Sequence, residues 1–145
     1  MTLGFVIDTN VLVAALRSDR GASRLLLRAA LDQRFELLLS VPLLIEYEAV
    51  LNRPENLAAF GITPAEVGDI LDELARVAIP VKLAYRWRPC LRDANDDMVL
   101  ETAANGDADA IVTFNLADFR GIERLLRCDV VAPSEALRRL RGGRK

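Results

Sequence analysis

The chain contains no histidine. That absence excludes a Ser-His-Asp triad, a Cys-His pair, imidazole acid–base catalysis and imidazole metal ligands. Any metal site must use oxygen ligands, which points to Mg²⁺ or Mn²⁺ and away from zinc or copper. Cysteine is nearly as scarce. Cys90 and Cys128 stand far apart with no C-x-x-C spacing, so two reduced thiols are expected rather than a zinc site or a redox pair. No segment approaches the ~20 consecutive apolar residues that span a bilayer. Acidic Asp8 interrupts the one apolar run near the start, so no signal-peptide shape is read there. A cytoplasmic protein with no membrane partner is expected. Lysine is limited to Lys82 and Lys145. The other basic residues are arginines, which suit bidentate phosphate contacts, although a compositional bias explains their excess equally well. The net charge of −2 supplies no overall basic field, so a nucleic-acid partner would need a local patch. Internal repeats and low-complexity segments are also missing.

What is present is a core-forming chain. The 145 residues are 52% hydrophobic, with mean hydropathy +0.18. This fits one domain over residues 1–140 with a basic tail at 141–145. The first informative stretch is Phe5-Val6-Ile7-Asp8-Thr9-Asn10. It is a short run of strand formers, suited to a fully buried strand, that ends abruptly in polar residues. A helical start follows at Val11–Leu16, then a polar break at Ser18–Gly21 and a helix over Ala22–Arg34. A strand over Phe35–Leu39 leads to a helix over Leu43–Leu51 and a loop over Asn52–Asn56. Thr63-Pro64-Ala65-Glu66 has the form of a capping box with proline at the first helical position, opening a helix to about Arg76. Ile79–Leu83 reads as a weak strand, placed at a sheet edge or begun at Pro80. Tyr85–Arg92 is a loop. A helix over Asp93–Ala104 stops at Gly106, with Met98, Val99, Thr102 and Ala103 as its packing face. A strand over Ala108–Thr113, a loop over Asn115–Gly121 and a short helix over Ile122–Leu126 follow. A last strand, Asp129–Val131, precedes a helix opened by Pro133-Ser134. Alternation of strands and helices predicts an α/β fold with a largely parallel sheet. Right-handed crossovers then gather the strand C-termini on one edge, where ligands bind.

Acidic residues recur at those edges. Asp8 ends the first strand. Glu46 lies in the first turns of the helix after the second. Asp96 and Asp97 open the helix after the third, with Asp93 just before, and Asp118 lies in the loop after the fourth. Each has a structural reading: Asp8-Thr9-Asn10 as a helix N-cap, Asp93, Asp96 and Asp97 as first-turn acids favoured by the helix dipole, Glu46 and Asp118 as solvated residues. Four successive junctions carrying acids are not predicted by those readings. Two carboxylates ~5 Å apart repel by roughly 3 kcal/mol at an effective dielectric of 20. A cluster of them raises pKa values or binds a cation. A hard divalent metal relieves the repulsion and promotes attack of water on a phosphodiester.

Val6–Leu12, Ser40–Glu46, Arg92–Leu100, Ala110–Asn115 and Val131–Leu137 together resemble the PIN-domain family, in the branch of toxins from bacterial toxin–antitoxin pairs. The resemblance implies a three-layer α/β/α sandwich around a mainly parallel sheet, and a Mg²⁺- or Mn²⁺-dependent endoribonuclease that leaves 5′-phosphate and 3′-hydroxyl ends. It implies Asp8, Glu46 and Asp97 as metal-binding catalytic acids, with Asp96 as a supporting or alternative ligand. Many members carry an acid two residues after the threonine matching Thr113. Here Asn115 stands in that place, and Asp118 in the same loop is expected to supply the charge. Asn10 and Thr113 are expected to support the acids by hydrogen bonds. A homodimer and a protein antitoxin are the partners the resemblance implies.

Arg86 and Arg88, interleaved with Tyr85 and Trp87, and Arg17 in the break after the first motif are the candidate RNA contacts. Two other readings stand beside the nuclease. One is a PIN-like module that binds RNA or protein without cleaving, favoured by Asn115. The other is a small-phosphate phosphatase, disfavoured because Asn10 replaces the second acid of an Asp-x-Asp pattern.

Overall fold

A computed structural model describes residues 2–84, 94–122 and 126–142, with only the backbone of residues 94–96. The expected loop Tyr85–Arg92, the middle of the expected helix Ile122–Leu126 and the end of the basic tail lie outside the described residues.

The elements run in the order β1 (Gly4–Ile7), α1 (Thr9–Arg17), α2 (Ala22–Leu31), β2 (Glu36–Leu39), α3 (Val41–Leu51), α4 (Pro54–Phe60), α5 (Pro64–Val77), β3 (Ile79–Pro80), α6 (Ala94–Gly106), β4 (Ala110–Val112), β5 (Asp129–Val131) and α7 (Pro133–Gly142). A 3₁₀ turn, Leu116–Phe119, follows β4. The five strands form one sheet in the order β3-β2-β1-β4-β5, and every pairing is parallel. Helices on both faces make a three-layer α/β/α fold, as expected. β1 and β4 are buried along their whole length, which accounts for their unbroken apolar runs. α6 packs on β1, β2 and β4, whereas α1, α2, α3 and α5 pack on one another. The chain moves outward from β1 through β2 to β3, then returns past them to β4. The strand order therefore reverses between β1 and β4, and a crevice opens beyond their C-terminal ends.

Local chemistry explains the elements. The Thr63–Glu66 capping box is formed, with Glu66 N–H donating to Thr63 Oγ1 at 3.2 Å and Thr63 N–H to Glu66 Oε1 at 3.0 Å. β3 is shorter than the expected Ile79–Leu83. Two residues pair with β2 at the sheet edge, where Pro80, lacking an N–H, is tolerated. Residues 54–60, part of them expected as loop, form α4. Pro54 sits in its first turn, and Gly61 closes it in the left-handed region at φ 70°, the usual proline-first, glycine-last arrangement. α2 ends at Leu31, before the expected Arg34, because Gln33 turns left-handed at φ 57° and Arg34 N–H bonds back to Ala29 O at 2.9 Å. Gly106 is the last residue of α6 rather than the stop beyond it. A Cβ there would stand 2.9 Å from Val81 Cγ2, so glycine serves close packing. The left-handed turn falls on Asp107.

Candidate active site

The site begins at the β1–β4 crevice. Asp8 occupies the N-cap position of α1, yet its side chain makes no cap hydrogen bond. Its Oδ2 instead accepts from Thr113 Oγ1 at 2.7 Å, across 105 residues of sequence. Thr113 is fully buried and Asp8 is only 7% exposed. Two other groups address the same hydroxyl oxygen: Asn115 N–H at 2.9 Å and Asn10 Nδ2 at 3.5 Å. Both lone pairs of Thr113 Oγ1 are thereby taken, and its single proton is directed to Asp8. Asn10 Oδ1 also accepts the backbone N–H of Phe114 at 3.4 Å. The ends of β1 and β4 are thus joined by a short polar chain through Asp8, Thr113, Asn10 and Asn115.

α3 is fixed beside this junction by its tyrosine. Tyr47 is buried, and its hydroxyl donates to Ile7 O at 2.5 Å. Burial, and secondarily the charge of Asp8, raises the Tyr47 pKa far above its ordinary value, so the phenol remains a neutral donor. The neighbouring Glu46 is half-buried. It lines an open groove of about 490 Å³ with Asn10, Arg17, Arg53 and Phe114 among others. The start of α3 is tied to α6 by a 2.7 Å hydrogen bond between Ser40 Oγ and Thr102 Oγ1. α6 carries Asp97, which is 2% exposed, and one turn later Glu101, which is fully buried.

The structure therefore brings Asp8, Asn10, Thr113 and Asn115 together, and sets Glu46 and Arg17 around one groove with Asn10. Asp118 is exposed, in the first turn of the 3₁₀ turn that buried Phe119 anchors. The side chain of Asp96, and Asp93, Arg86 and Arg88 entirely, lie outside the described residues. Among the described residues no three acidic or cysteine side chains stand close enough to hold a metal ion. The donor chemistry fits a hard cation all the same. Asp8 and Asp97 are buried carboxylates, Glu46 is half-buried, and no nitrogen or thiolate ligand accompanies them.

Three contributors escaped the sequence reading. Tyr47 lies inside the helix expected over Leu43–Leu51 and was given no role of its own. Glu101 lies four residues after Asp97, a spacing that puts both on one helical face and could have flagged it. Phe114 was read as part of a motif and given no role.

No curated protein is detectably similar to the chain in sequence. The PIN domain family matches residues 4–117, a span that includes Asp8, Glu46, Asp97 and Thr113. No helix among the described residues is long and apolar enough to cross a membrane. With the all-parallel sheet and Asp8 at the end of β1 in place, the chain belongs to the PIN-domain family, whose members are generally nucleases that use divalent metals.

Proposed function

We propose that the chain is a Mg²⁺- or Mn²⁺-dependent endoribonuclease, acting as the toxin of a toxin–antitoxin pair. The observation that carries this reading is Asp8. It is a buried carboxylate at the topological switch point of a parallel sheet, diverted from capping its helix and oriented by Thr113. In this reading Asp8, Glu46 and Asp97 hold one cation, and Asp118 completes the charge from the exposed loop. Asn10, Asp96, Thr113 and Asn115 are the supporting residues, while Arg17, Arg86 and Arg88 contact RNA phosphates. When bound, a hard cation would neutralise the carboxylates that hold it and lower the pKa of a water for attack on the phosphodiester.

The chain's own part is positioning. Thr113 fixes the Asp8 carboxylate in one orientation. Tyr47 holds α3, and with it Glu46, against the end of β1. Ser40 and Thr102 brace α3 against the helix that carries Asp97. Pre-organised acids spend little free energy on rearrangement when substrate arrives. Hydrolysis leaves 5′-phosphate and 3′-hydroxyl ends. A toxin role implies a partner protein that occludes the acids, and a homodimer is part of the same proposal.

The test is cleavage of end-labelled RNA by the purified chain with Mg²⁺, with Mn²⁺ and with EDTA, beside Asp8→Asn. Cation-dependent cleavage lost in Asp8→Asn supports the reading. Cleavage that survives the substitution removes the site assignment. RNA binding with no cleavage under any cation favours a binding module, the reading to which neutral Asn115 and exposed Asp118 lend weight.

A further inference from the structure

The edge of the sheet remote from Asp8 carries a second groove. α2 leads into the start of β2, and α7 runs back from the end of β5. Arg139, late in α7, donates to Asp129, the first residue of β5, at 2.8 Å. The C-terminal halves of α2 and α7 therefore lie at the N-terminal edge of the sheet, opposite the acids. Between the two helices is an open groove of about 240 Å³. Its apolar lining includes half-buried Leu137 and Leu140, and Leu25, which is 41% exposed. Arg28, Arg34 and Arg141 line it too, and all three are exposed. Arg34 is turned back over the end of α2 by left-handed Gln33 and by its own N–H bond to Ala29 O. None of the three guanidinia makes a hydrogen bond or ion pair with another described residue. Arg76, Arg138 and Arg139, by contrast, each hold an acid of their own helix. Asp32 is the one acid among the described lining residues, and it pairs with none of the three.

Charge and shape identify the occupant. Three guanidinia against one carboxylate make a locally cationic groove on a chain of net charge −2, so an anionic partner is favoured. The volume falls below the roughly 300–1,000 Å³ of small-molecule pockets and suits side chains projecting from a larger partner. No aromatic is among the described residues that line it, so unpaired bases find nothing to stack on. The leucines likewise add nothing to the binding of a phosphate backbone. An amphipathic helix uses both parts. Its apolar stripe fills the cleft between two helices, and carboxylates beside the stripe meet the guanidinia in bidentate geometry.

We infer that the groove between α2 and α7 is a docking site for an acidic amphipathic helix of another protein. Leu25, Leu137 and Leu140 receive its apolar stripe, and Arg28, Arg34 and Arg141 pair with its carboxylates. Asp32 disfavours an acid directly opposite it and so gives the site a register. A partner docked at this edge leaves Asp8 and its crevice open, so it recruits the chain rather than blocking it. The inference goes beyond the ribonuclease reading and does not depend on it.

Fluorescence anisotropy with a labelled designed peptide provides the test. The peptide is a helix of about five turns, with leucines at i, i+3, i+4 and i+7 and glutamates on both flanks of that stripe. Its controls are the same residues in scrambled order and the same stripe flanked by lysines. The wild-type chain binds the glutamate peptide at least about tenfold more tightly than either control, and added salt weakens that binding. Arg28→Glu and Arg141→Glu each weaken it by about tenfold or more, through one pair lost and one repulsion gained. Leu25→Asp, at a position already 41% exposed, weakens it at least as much. Circular dichroism confirms that the variants are folded. Equal affinity for the three peptides, or glutamate-peptide binding indifferent to all three substitutions, overturns the docking site. So does an RNA affinity that falls in the arginine variants while no peptide binds, which assigns the groove to a polynucleotide. Self-association of the wild-type chain that is lost in Leu25→Asp, again with no peptide bound, overturns it in favour of a second copy of the chain. Asp8→Asn binds the glutamate peptide as the wild-type chain does. Failure of the nuclease reading therefore leaves the docking result intact, and failure of docking leaves cation-dependent cleavage intact.

Discussion

Replacing Tyr47 by phenylalanine removes one oxygen from a buried polar contact near Asp8. The ring keeps its packing, so the change isolates the hydroxyl's 2.5 Å hydrogen bond to Ile7 O. Leaving a buried carbonyl without this donor costs about 1–3 kcal/mol. For a domain of this size that lowers Tm by roughly 3–10 °C. A second signature appears in alkali. An unfolded tyrosine ionises near pH 10, whereas burial and then the Asp8 charge hold folded Tyr47 protonated well beyond that point. Below pH 10 both states keep the proton and stability does not change with pH on this account. Above pH 10 the unfolded chain releases a proton that the native chain retains, which favours unfolding. The wild-type chain should lose about 1.4 kcal/mol per pH unit more steeply than Tyr47→Phe in that range. Urea denaturation between pH 7 and pH 11, in EDTA, measures both quantities. Equal stability at pH 7 together with parallel alkaline slopes would refute the assigned contact.

Three further substitutions probe other joints of the structure. Thr113→Val removes the hydroxyl that donates to Asp8; Mn²⁺ titration should show roughly 10- to 100-fold weaker binding, and Thr113→Ser should restore it. Gly106→Ala forces a Cβ to 2.9 Å from Val81 Cγ2. Overpacking of about 1–3 kcal/mol outweighs the roughly 1 kcal/mol gained by removing a helical glycine, so the denaturation midpoint should fall. Gln33→Gly relieves a left-handed residue at φ 57° and should raise the thermal midpoint, through a gain of up to about 1 kcal/mol.

Much of the fold was legible because its cues are local. The apolar runs of β1 and β4, the Thr63–Glu66 box and the edge-favouring Pro80 act within a few residues of themselves. α4 was equally local, but Pro54 was placed in the loop Asn52–Asn56, whereas it is the first-turn proline of a helix closed by Gly61. The lost turn at the end of α2 depends on Gln33 accepting a conformation that its residue type disfavours. The site was legible only in part. Asp8 at a strand end is a sequence feature, whereas the choice between capping and facing the crevice is made by Thr113, far along the chain. The same holds for Tyr47 and Glu101. A buried polar group differs from an apolar neighbour only through its tertiary surroundings, so spacing alone could not rank them. Phe114 drew no attention because an exposed ring is identified by what fails to cover it.

The central claim is that Asp8, oriented by Thr113 at the switch point, organises a site for a hard divalent cation. Calorimetric titration of Mn²⁺ into the wild-type chain and Asp8→Asn, with circular dichroism to confirm that both are folded, tests it most directly. The account predicts a cation site in the wild-type chain that weakens by roughly 10- to 100-fold or more in Asp8→Asn, at least the loss expected when a supporting partner is removed. Equal Mn²⁺ affinity in two equally folded chains would contradict it.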